Sequence, residues 1–409
     1  MITGLGIVSP IGVGVDAFWR AALAGQSGIG RPTLFDASNL PPECRIVGEV
    51  RDFDPRDWMP SPAWKMAGRF SQFAVAAAKM ATDDARLDMA GIAPDRVQVA
   101  IGSAMSGLID VGEPCHEAFQ QGREPSPWMA NEYTAHAATS HIAIATGTRG
   151  QAVTMATACA AGLDAMAWAA DQVRRGDATA VIAGATEAPL SPFALMICRS
   201  AGVLSKWSGA PELASRPFEL LRSGLVLAEG CAVVVVEDEE CALARGARPY
   251  ARIASFASAT EGTHIRRVDP SGATAAYTIT TALAQAQLRS ADIDYISAHG
   301  NSIPDYDAAE TAALKRALGR HAWNVPVSSI KSMCGQPLSA GSAMQVVATC
   351  LTLRDQALHP TINHDRPDPS CDLDYVPNRS RRARVRHALV HSHSLGGSHS
   401  VMILSASSS

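Results

Sequence analysis

The sequence lacks a basic excess, a long apolar run and any paired-cysteine motif, and each absence excludes a class of protein. Lys and Arg number 35 against 39 Asp and Glu, a net charge of −4, so a polybasic nucleic-acid binder is excluded. No run approaches the ~18 apolar residues of a membrane span. The nine cysteines form no CxxC pair, which argues against a disulfide framework or a zinc knuckle. The sequence predicts a cytoplasmic protein that binds neither nucleic acid nor membrane, because no basic leader is visible either.

The composition otherwise is that of a globular protein with a large core. The chain has 409 residues, of which 47% are hydrophobic and 18% charged, which predicts two or three domains or one duplicated α/β unit. Short Val/Ile-rich runs alternate with Ala-rich helical stretches, and several runs are apolar on both faces, as in strands covered by helices on both sides. The predicted strands include Val97 to Gly102, Val153 to Ala156, Ala180 to Gly184, Cys231 to Val236, Ile293 to Ala298, Val325 to Ile330 and Ala388 to His391.

The sequence contains a weak internal repeat. Ala161-Gly162 and the predicted helix that follows match Ala340-Gly341 and its helix. The predicted strand and turn from Val97 to Ser103 match those from Ile293 to His299. Together the two matches indicate a duplicated α/β architecture.

We interpret the repeat as two halves that share an interface. Residues 1–250 contain a candidate nucleophile, and residues 251–409 contain most of the other candidate site residues. The Pro/Arg-rich stretch from His359 to Arg386 is predicted to be a long surface excursion before the last strands.

The first candidate site residue is Cys159, in Thr157-Ala-Cys-Ala-Ala-Gly162, where a predicted strand ends and an Ala-rich helix begins. A thiol at such a position lies close to free backbone N–H groups and the positive end of the helix dipole. Both lower its pKa and can hold an oxyanion. A nucleophilic cysteine is one interpretation, and a small buried residue at a helix start is the other.

Two further candidates follow predicted strands in the second half. His299, in Ala298-His-Gly-Asn-Ser302, could donate a hydrogen bond or move a proton in a shared crevice, or be an ordinary loop histidine. Lys331 precedes a Gly/Pro turn. We predict for it either a buried ion pair with Glu310 or a solvated position in the turn.

Three histidines occur within the nine residues of His391-Ser-His-Ser-Leu-Gly-Gly-Ser-His399. A metal site is one interpretation, but no carboxylate or fourth ligand stands at a matching spacing, and the segment has the pattern of strand, turn and strand. We therefore predict no metal. Gly396 and Gly397 let the backbone approach a ligand closely.

These motifs, in this order, resemble the β-ketoacyl-[acyl carrier protein] synthases, in particular the ketosynthase II type of fatty-acid synthesis and its type II polyketide relatives. The resemblance implies a thiolase-like α/β fold, in which two duplicated βαβαβαββ halves form five αβαβα layers, and a dimer. It covers nearly the whole chain and includes Gly4-Leu-Gly-Ile-Val-Ser-Pro10, Leu23-Ala-Gly-Gln-Ser-Gly28, Ser215-Arg-Pro-Phe218, the Cys159 and His299 motifs, Lys331-Ser-Met, and Pro360-Thr-Ile-Asn363.

The same resemblance implies a site and its chemistry. Cys159 would accept an acyl chain as a thioester, and His299 would hold a malonyl unit while it loses CO2. Lys331 and Glu310 would form a supporting ion pair, and the backbone N–H groups of Cys159 and Leu395 an oxyanion hole. The substrates would be carried on the phosphopantetheine arm of an acyl carrier protein, with no other cofactor.

The sequence departs from the family pattern at the implied site. Gln336 stands where the family has a second histidine, Asn301 where it has a threonine, and Leu395 where it has the phenylalanine of a Gly-Phe-Gly-Gly gate. A glutamine can donate a hydrogen bond to a developing enolate, but it cannot carry charge or move a proton. Met105 and Cys198 stand at two positions that line the family's acyl pocket. Because Cys198 replaces a bulky aromatic, it predicts room for a longer or wider chain.

Three functions remain open. The leading one is a ketosynthase that condenses an acyl chain on Cys159 with malonyl-carrier in a type II polyketide or specialised fatty-acid pathway. The second transfers the chain to another acceptor without elongation. The third is a catalytically silent, chain-length-factor-like subunit, which the loss of the second histidine favours and the retention of Cys159 opposes. The protein would form a homodimer, or a heterodimer with another ketosynthase-like subunit.

Overall fold

Two large mixed β-sheets organise the molecule, and two short two-stranded ribbons accompany them. The computed structural model describes residues 1–89, 91–105 and 107–407. The strands are β1 Ile2–Ser9, β2 Gly12–Val13, β3 Ile29–Gly30, β4 Val47–Gly48, β5 Val97–Gly102, β6 Ala152–Met155, β7 Ala180–Glu187, β8 Gly230–Glu237, β9 Arg252–Thr260, β10 Tyr295–Ser297, β11 Val327–Ser328, β12 Ala357–Leu358, β13 Arg381–Arg382, β14 His387–His393 and β15 Ser398–Ser405.

The helices between these strands are rich in alanine and leucine, which favour helix formation and close packing. They are α1 Val15–Ala24, α2 Ala63–Met66, α3 Arg69–Ala85, α4 Leu108–Gln120, α5 Met129–Glu132, α6 Ala137–Thr146, α7 Ala161–Arg174, α8 Pro192–Ser200, α9 Glu239–Ala244, α10 Ala273–Gln285, α11 Pro304–Leu318, α12 Lys331–Cys334 and α13 Ala340–Asp355. Within the described ranges, no helix is both long and apolar enough to cross a membrane.

The two large sheets have the same strand order. Apart from the added strand β2, the first runs β1-β8-β7-β5-β6 and the second runs β9-β15-β14-β10-β11. In the first, β5 pairs in parallel with β6 and β7, whereas β8 pairs antiparallel with β7 and β1. The second repeats this pattern with β10, β11, β14, β15 and β9. The predicted duplication of a βαβαβαββ unit is therefore confirmed.

Helices cover both faces of each sheet, as the doubly apolar strands predict. Helices α3 and α6 pack together outside the first sheet, α10 and α11 pack together outside the second, and α7 and α13 lie between the sheets. This gives the five αβαβα layers of the thiolase-like fold. Side chains of α7, α13 and the inner faces of both sheets share one large apolar core.

The central helices α7 and α13 are the two copies of the repeat at Ala161-Gly162 and Ala340-Gly341. Their approach is close: a Cβ on Gly162 would lie 2.7 Å from Ser342 Oγ and 2.9 Å from the backbone nitrogen of Ala343. Only glycine fits at this crossing. The contact brings the first turns of both helices together, and the residues that precede each helix with them.

Every strand of the first large sheet lies within residues 2–237 and every strand of the second within residues 252–405, while the division at residues 250 and 251 stays a prediction. The expected surface excursion from His359 to Arg386 is wrong in part. His359, Tyr375 and Val385 are buried, and Tyr375 stacks on Phe218 with ring centroids 4.1 Å apart. The apolar residues of this stretch are scattered among prolines, aspartates and arginines. They therefore show no periodicity from which their burial could have been predicted.

Candidate functional site

Cys159 lies in a tight turn between β6 and α7, two residues before the first residue of the helix. The preceding residue, Ala158, has a φ of 54°, a left-handed conformation that side chains other than glycine adopt rarely. Strand β14 holds the turn in place. Ser392 Oγ donates to the Cys159 carbonyl at 3.1 Å, and Ser394 Oγ accepts from the Ala160 N–H at 3.0 Å. The elbow is therefore assembled from both halves of the chain.

The surroundings of Cys159 do not activate its thiol in the way the sequence predicts. Burial raises the pKa of Cys159 to about 11, and the nearby Glu187 carboxylate acts in the same direction. The Lys331 ammonium, the Gln336 amide and the Leu395 backbone N–H oppose this rise, but burial outweighs them. The expectation of a lowered pKa is wrong because it counted the helix terminus and omitted the loss of solvent. At neutral pH the resting group is a thiol.

His299 follows β10 and is buried, with its backbone N–H bonded to Glu310 Oε1 at 2.7 Å. Burial, and next the charge of Lys331, hold the pKa of His299 well below its usual range, so the ring is neutral. The His393 backbone N–H donates to Nδ1 of His299 at 3.2 Å. A neutral ring with its lone pair on Nδ1 carries its proton on Nε2. His299 therefore presents an uncharged N–H donor.

Asn301 lies beside this donor. Its Nδ2 is 3.1 Å from Nε2 of His299, and its Oδ1 accepts from the Ile303 N–H at 3.1 Å. The backbone N–H of Asn301 donates to Asp307 at 3.0 Å. With the His299 proton on Nε2, both Nε2 and the amide Nδ2 are donors, so this contact is not a hydrogen bond and the two N–H groups lie side by side.

The predicted ion pair between Lys331 and Glu310 is wrong in its geometry. Lys331 Nζ donates to the His299 carbonyl and to Gln345 Oε1, each at 2.8 Å. Glu310 instead accepts from two backbone N–H groups and contacts Nδ1 of His391 at 2.6 Å. Glu310 still raises the pKa of Lys331 through space, while burial lowers it to about 8. The alternative of a solvated turn lysine is wrong as well, since Lys331 is buried.

Gln345 is a functional residue that the sequence analysis missed. Besides binding Lys331, its Nε2 lies within 3.0 Å of the carbonyl oxygens of Ser297, Ala298 and His391. It thereby joins β10, β14 and the Lys331 turn from the middle of α13. A lone glutamine in an otherwise apolar helix was the available signal, because buried amides are normally fully bonded.

The backbone of Gln336 is held by two hydrogen bonds, whereas its side-chain amide forms none that meet the usual distance limits within the described residues. Its N–H donates to the Val226 carbonyl at 2.7 Å, and its carbonyl accepts from the Ala228 N–H at 3.1 Å. Although the side chain is buried, neither Nε2 nor Oε1 has a hydrogen-bond partner within the part of the chain that the structure describes. The amide nonetheless lies close enough to Cys159 to lower the pKa of its thiol. The hydrogen-bonding capacity of the amide is therefore directed at the nucleophile.

The Leu395-Gly396-Gly397 turn joins β14 to β15 and covers the site. Leu395 is 43% exposed, and its backbone N–H lies against the Cys159 sulfur. Gly396 and Gly397 have φ angles of 96° and 85°, in the region that favours glycine. The turn therefore presents a backbone donor to the sulfur and an apolar side chain to solvent.

Met105 and Cys198 lie in one apolar cluster, as neighbours in an acyl pocket would. Both are partly buried and pack against a core that includes Ile109, Leu195 and Leu204. The Met105 N–H donates to Glu187, the same carboxylate that acts on Cys159, at 3.3 Å. Their contact with an acyl chain stays a prediction.

Comparison with known proteins shows what the chain as a whole is similar to. Two protein-family models match the chain: Beta-ketoacyl synthase, N-terminal domain, over residues 1–242, and Beta-ketoacyl synthase, C-terminal domain, over residues 250–365. The chain is 39% identical over 398 residues to 3-oxoacyl-[acyl-carrier-protein] synthase 2 of Synechocystis sp., a match that covers 97% of this chain and 95% of the relative.

A polyketide relative and a solved structure match equally broadly. The chain is 37% identical over 415 residues to the tetracenomycin polyketide synthase ketoacyl synthase alpha subunit of Streptomyces glaucescens, covering 99% of this chain and 96% of that one. A type II polyketide ketosynthase, solved in complex with its acyl-carrier protein and bound to a hexaketide, superposes with a TM-score of 0.92 at 35% identity, covering 99% of this chain and 98% of that one.

Proposed function

Because this chain belongs to the β-ketoacyl synthase family, we propose that it condenses a carrier-bound acyl chain with malonyl-carrier through Cys159, His299 and Gln336. It is a condensing enzyme of the acyltransferase class, in a type II polyketide or specialised fatty-acid pathway. The observation that carries the proposal for the site is the buried amide of Gln336, which lies at the Cys159 sulfur and has no other hydrogen-bond partner among the described residues.

The first half-reaction is a thioester exchange. The Cys159 sulfur attacks the acyl carbonyl, the bond to the carrier's phosphopantetheine sulfur breaks, and the proton of the cysteine leaves with that thiol. The Leu395 N–H, which lies against the sulfur, stabilises the oxyanion formed during this exchange, together with the Cys159 N–H. Because the resting thiol is protonated, the proton must move in the same step.

The second half-reaction depends on two neutral donors. The N–H groups of His299 Nε2 and Gln336 Nε2 bind the malonyl thioester oxygen as the unit loses CO2 and negative charge develops there. The resulting carbanion attacks the acyl carbon on Cys159, and the sulfur departs and takes up a proton. Neither donor needs to exchange a proton with the substrate, so a glutamine suffices at position 336.

The proposal includes the partners and the compartment. The substrates arrive as thioesters on the phosphopantetheine arm of an acyl carrier protein, without another cofactor in the reaction. The chain acts as a homodimer or beside another ketosynthase-like subunit. The nine free cysteines support a reducing compartment, the cytoplasm.

Intact-mass spectrometry tests the proposal. The protein is mixed with acyl-carrier and then with malonyl-carrier, alone and with a co-purified ketosynthase. We expect acylation of the protein, followed by release of a carrier-bound product two carbons longer. Acylation without elongation in both settings would replace the proposal with a transacylase, and neither step would replace it with a silent partner subunit.

A further inference from the structure

Three side chains converge next to the Leu395-Gly396-Gly397 turn. Glu261 follows β9, His393 ends β14, and His399 lies near the start of β15. Glu261 Oε1 is 2.9 Å from Nε2 of His399 and 4.0 Å from Nε2 of His393. One ligand atom from each residue lies within 4.8 Å of the other two. The cluster contains none of the residues to which we assign the condensation, but it borders them, since the ring centroids of His393 and His299 are 6.1 Å apart.

The hydrogen bonds around His399 direct a lone pair into this cluster. His391 contacts Glu310 through Nδ1 at 2.6 Å and faces Nδ1 of His399 through Nε2 at 3.2 Å. With neutral rings, His391 donates to Glu310, and His399 donates to His391 through Nδ1. Nε2 of His399 then carries a lone pair that faces the Glu261 carboxylate. Metal-binding histidines are held in the same way, with the second ring nitrogen donating to an acceptor behind it.

His393 supplies a second, independent observation. The residue is only 3% exposed, yet its Nε2 has no hydrogen-bond partner within the described residues. The ring is fixed between Tyr306 and His399, with centroid distances of 4.7 and 4.1 Å. A buried ring nitrogen without a partner is uncommon, and here it is aimed at a carboxylate.

Glu261 is also prepared for this role. Its Oε2 accepts from the Asp269 backbone N–H at 2.9 Å, which leaves Oε1 toward the two imidazoles. The described neighbours of the cluster provide no Lys or Arg within ion-pair distance of Glu261.

We propose that Glu261, His393 and His399 bind a divalent transition-metal ion of the Zn²⁺ type. Two imidazole nitrogens and one carboxylate oxygen are a ligand set that such ions favour. Ligand atoms about 3.3 Å apart surround a tetrahedral Zn²⁺ with bonds near 2.0–2.1 Å. The separation of 2.9 Å already allows this, whereas that of 4.0 Å requires the His393 ring to move and tilt out of its stack on His399 and Tyr306 when the ion binds. The sequence analysis considered only ligands close in sequence to the three histidines, and Glu261 precedes them by at least 130 residues.

The bound ion would hold both ends of the turn formed by residues 394–397. His393 donates its backbone N–H to His299, and the Glu261 N–H donates to the Gly397 carbonyl at 2.9 Å. Residues 394–397 lie between these two anchors. The ion thus acts on the position of the gate and of the His299 ring, and not on the reacting atoms.

Cobalt binding tests the site without reference to activity. Protein freed of metal by a chelator is titrated with Co²⁺ and then with Zn²⁺. We expect the visible absorption bands of tetrahedral Co²⁺ at a stoichiometric ratio, their loss on addition of Zn²⁺, and a higher melting temperature with either ion. Absence of the bands in the parent protein overturns the proposal and leaves a buried Glu–His hydrogen bond.

Two variants and a control assign the ligands. His399→Asn and His393→Phe should each weaken Co²⁺ binding about a hundredfold or more, with circular dichroism confirming that the variant is folded. His387→Asn changes a histidine at the other end of β14 and should bind Co²⁺ like the parent. Bands that persist in either folded ligand variant, or disappear in the control, place the ion elsewhere and overturn the proposal.

Discussion

The Lys331 ammonium is held by the amide oxygen of Gln345, at 2.8 Å, and not by a carboxylate. A neutral acceptor does not cancel the charge of a buried cation. The charge of Lys331 therefore still acts on the Cys159 thiol and lowers its pKa. The same glutamine also occupies three backbone carbonyls of the site. The positions of Lys331 and of the ends of β10 and β14 at the site therefore depend on Gln345.

Gln345→Leu should therefore destabilise the protein. It leaves a buried ammonium and several carbonyl oxygens without their partner, which costs about 3 kcal/mol or more. The measurement is the free energy of unfolding by denaturant. Gln285→Leu, at an exposed position of α10, is the matched control and should change it by less than about 0.5 kcal/mol. Equal effects of the two variants would contradict the role of Gln345.

Cys159→Ala should abolish the mass increase with acyl-carrier, because the thiol is the acceptor in the first half-reaction. Cys334→Ala is the control, since Cys334 is fully buried beside Lys331 and burial raises its pKa to about 12. Intact-mass spectrometry reads out both variants. Acylation that survives in Cys159→Ala and is lost in Cys334→Ala would show that the nucleophile was assigned to the wrong residue.

The reactivity of Cys159 should rise with pH over the whole accessible range. With its pKa raised to about 11, the thiolate fraction grows about tenfold per pH unit between pH 7 and pH 9. The rate of iodoacetamide alkylation of the peptide that contains Cys159 should follow this slope. A rate that levels off below about pH 8 would mean that a preformed thiolate exists at the site.

Gln336→Ala should slow elongation about a hundredfold or more while acylation of Cys159 stays nearly intact. The amide acts only where charge develops on the malonyl thioester, and deleting one such donor costs about 3 kcal/mol. Gln336→His keeps a donor and should preserve or raise malonyl decarboxylation. Single-turnover assays with pre-acylated protein separate the two half-reactions. Elongation by Gln336→Ala at the parent rate would make Gln336 a turn residue only.

Cys198→Phe should shorten the longest acyl chain that the protein accepts. Phenylalanine adds about half a dozen heavy atoms to the apolar cluster that contains Met105 and Cys198. The chain-length profile is measured by competition among acyl-carriers. Cys241→Phe, at an exposed position of α9, is the control and should leave the profile unchanged. If Cys198→Phe had the same chain-length profile as the parent, Cys198 would not line the acyl pocket.

The fold could be predicted from the sequence more fully than the site. Strand β5 has the predicted bounds, and the repeat at Gly162 and Gly341 identifies the central helix pair, because hydrophobic periodicity and glycine placement are local signals. The roles of Cys159, His299 and Gln336 remain predictions. What the sequence could not provide is nonlocal: the desolvation of Cys159, the partner of Lys331, and the approach of Glu261 to His393 and His399.

Hydrogen bonds from β14, β15 and the turn between them hold the segment around Cys159, and this has a consequence for the folding of the newly made chain. Ser392, Ser394 and Ser400 bond to Cys159, Ala160 and Asp164 across separations of 233, 234 and 236 residues. Contacts of such long sequence separation form slowly, since the intervening chain must be ordered first. Until they form, the thiol is solvated and has an ordinary pKa of about 8.5. The nascent chain, and not the finished enzyme, is therefore the form in which Cys159 is most easily oxidised.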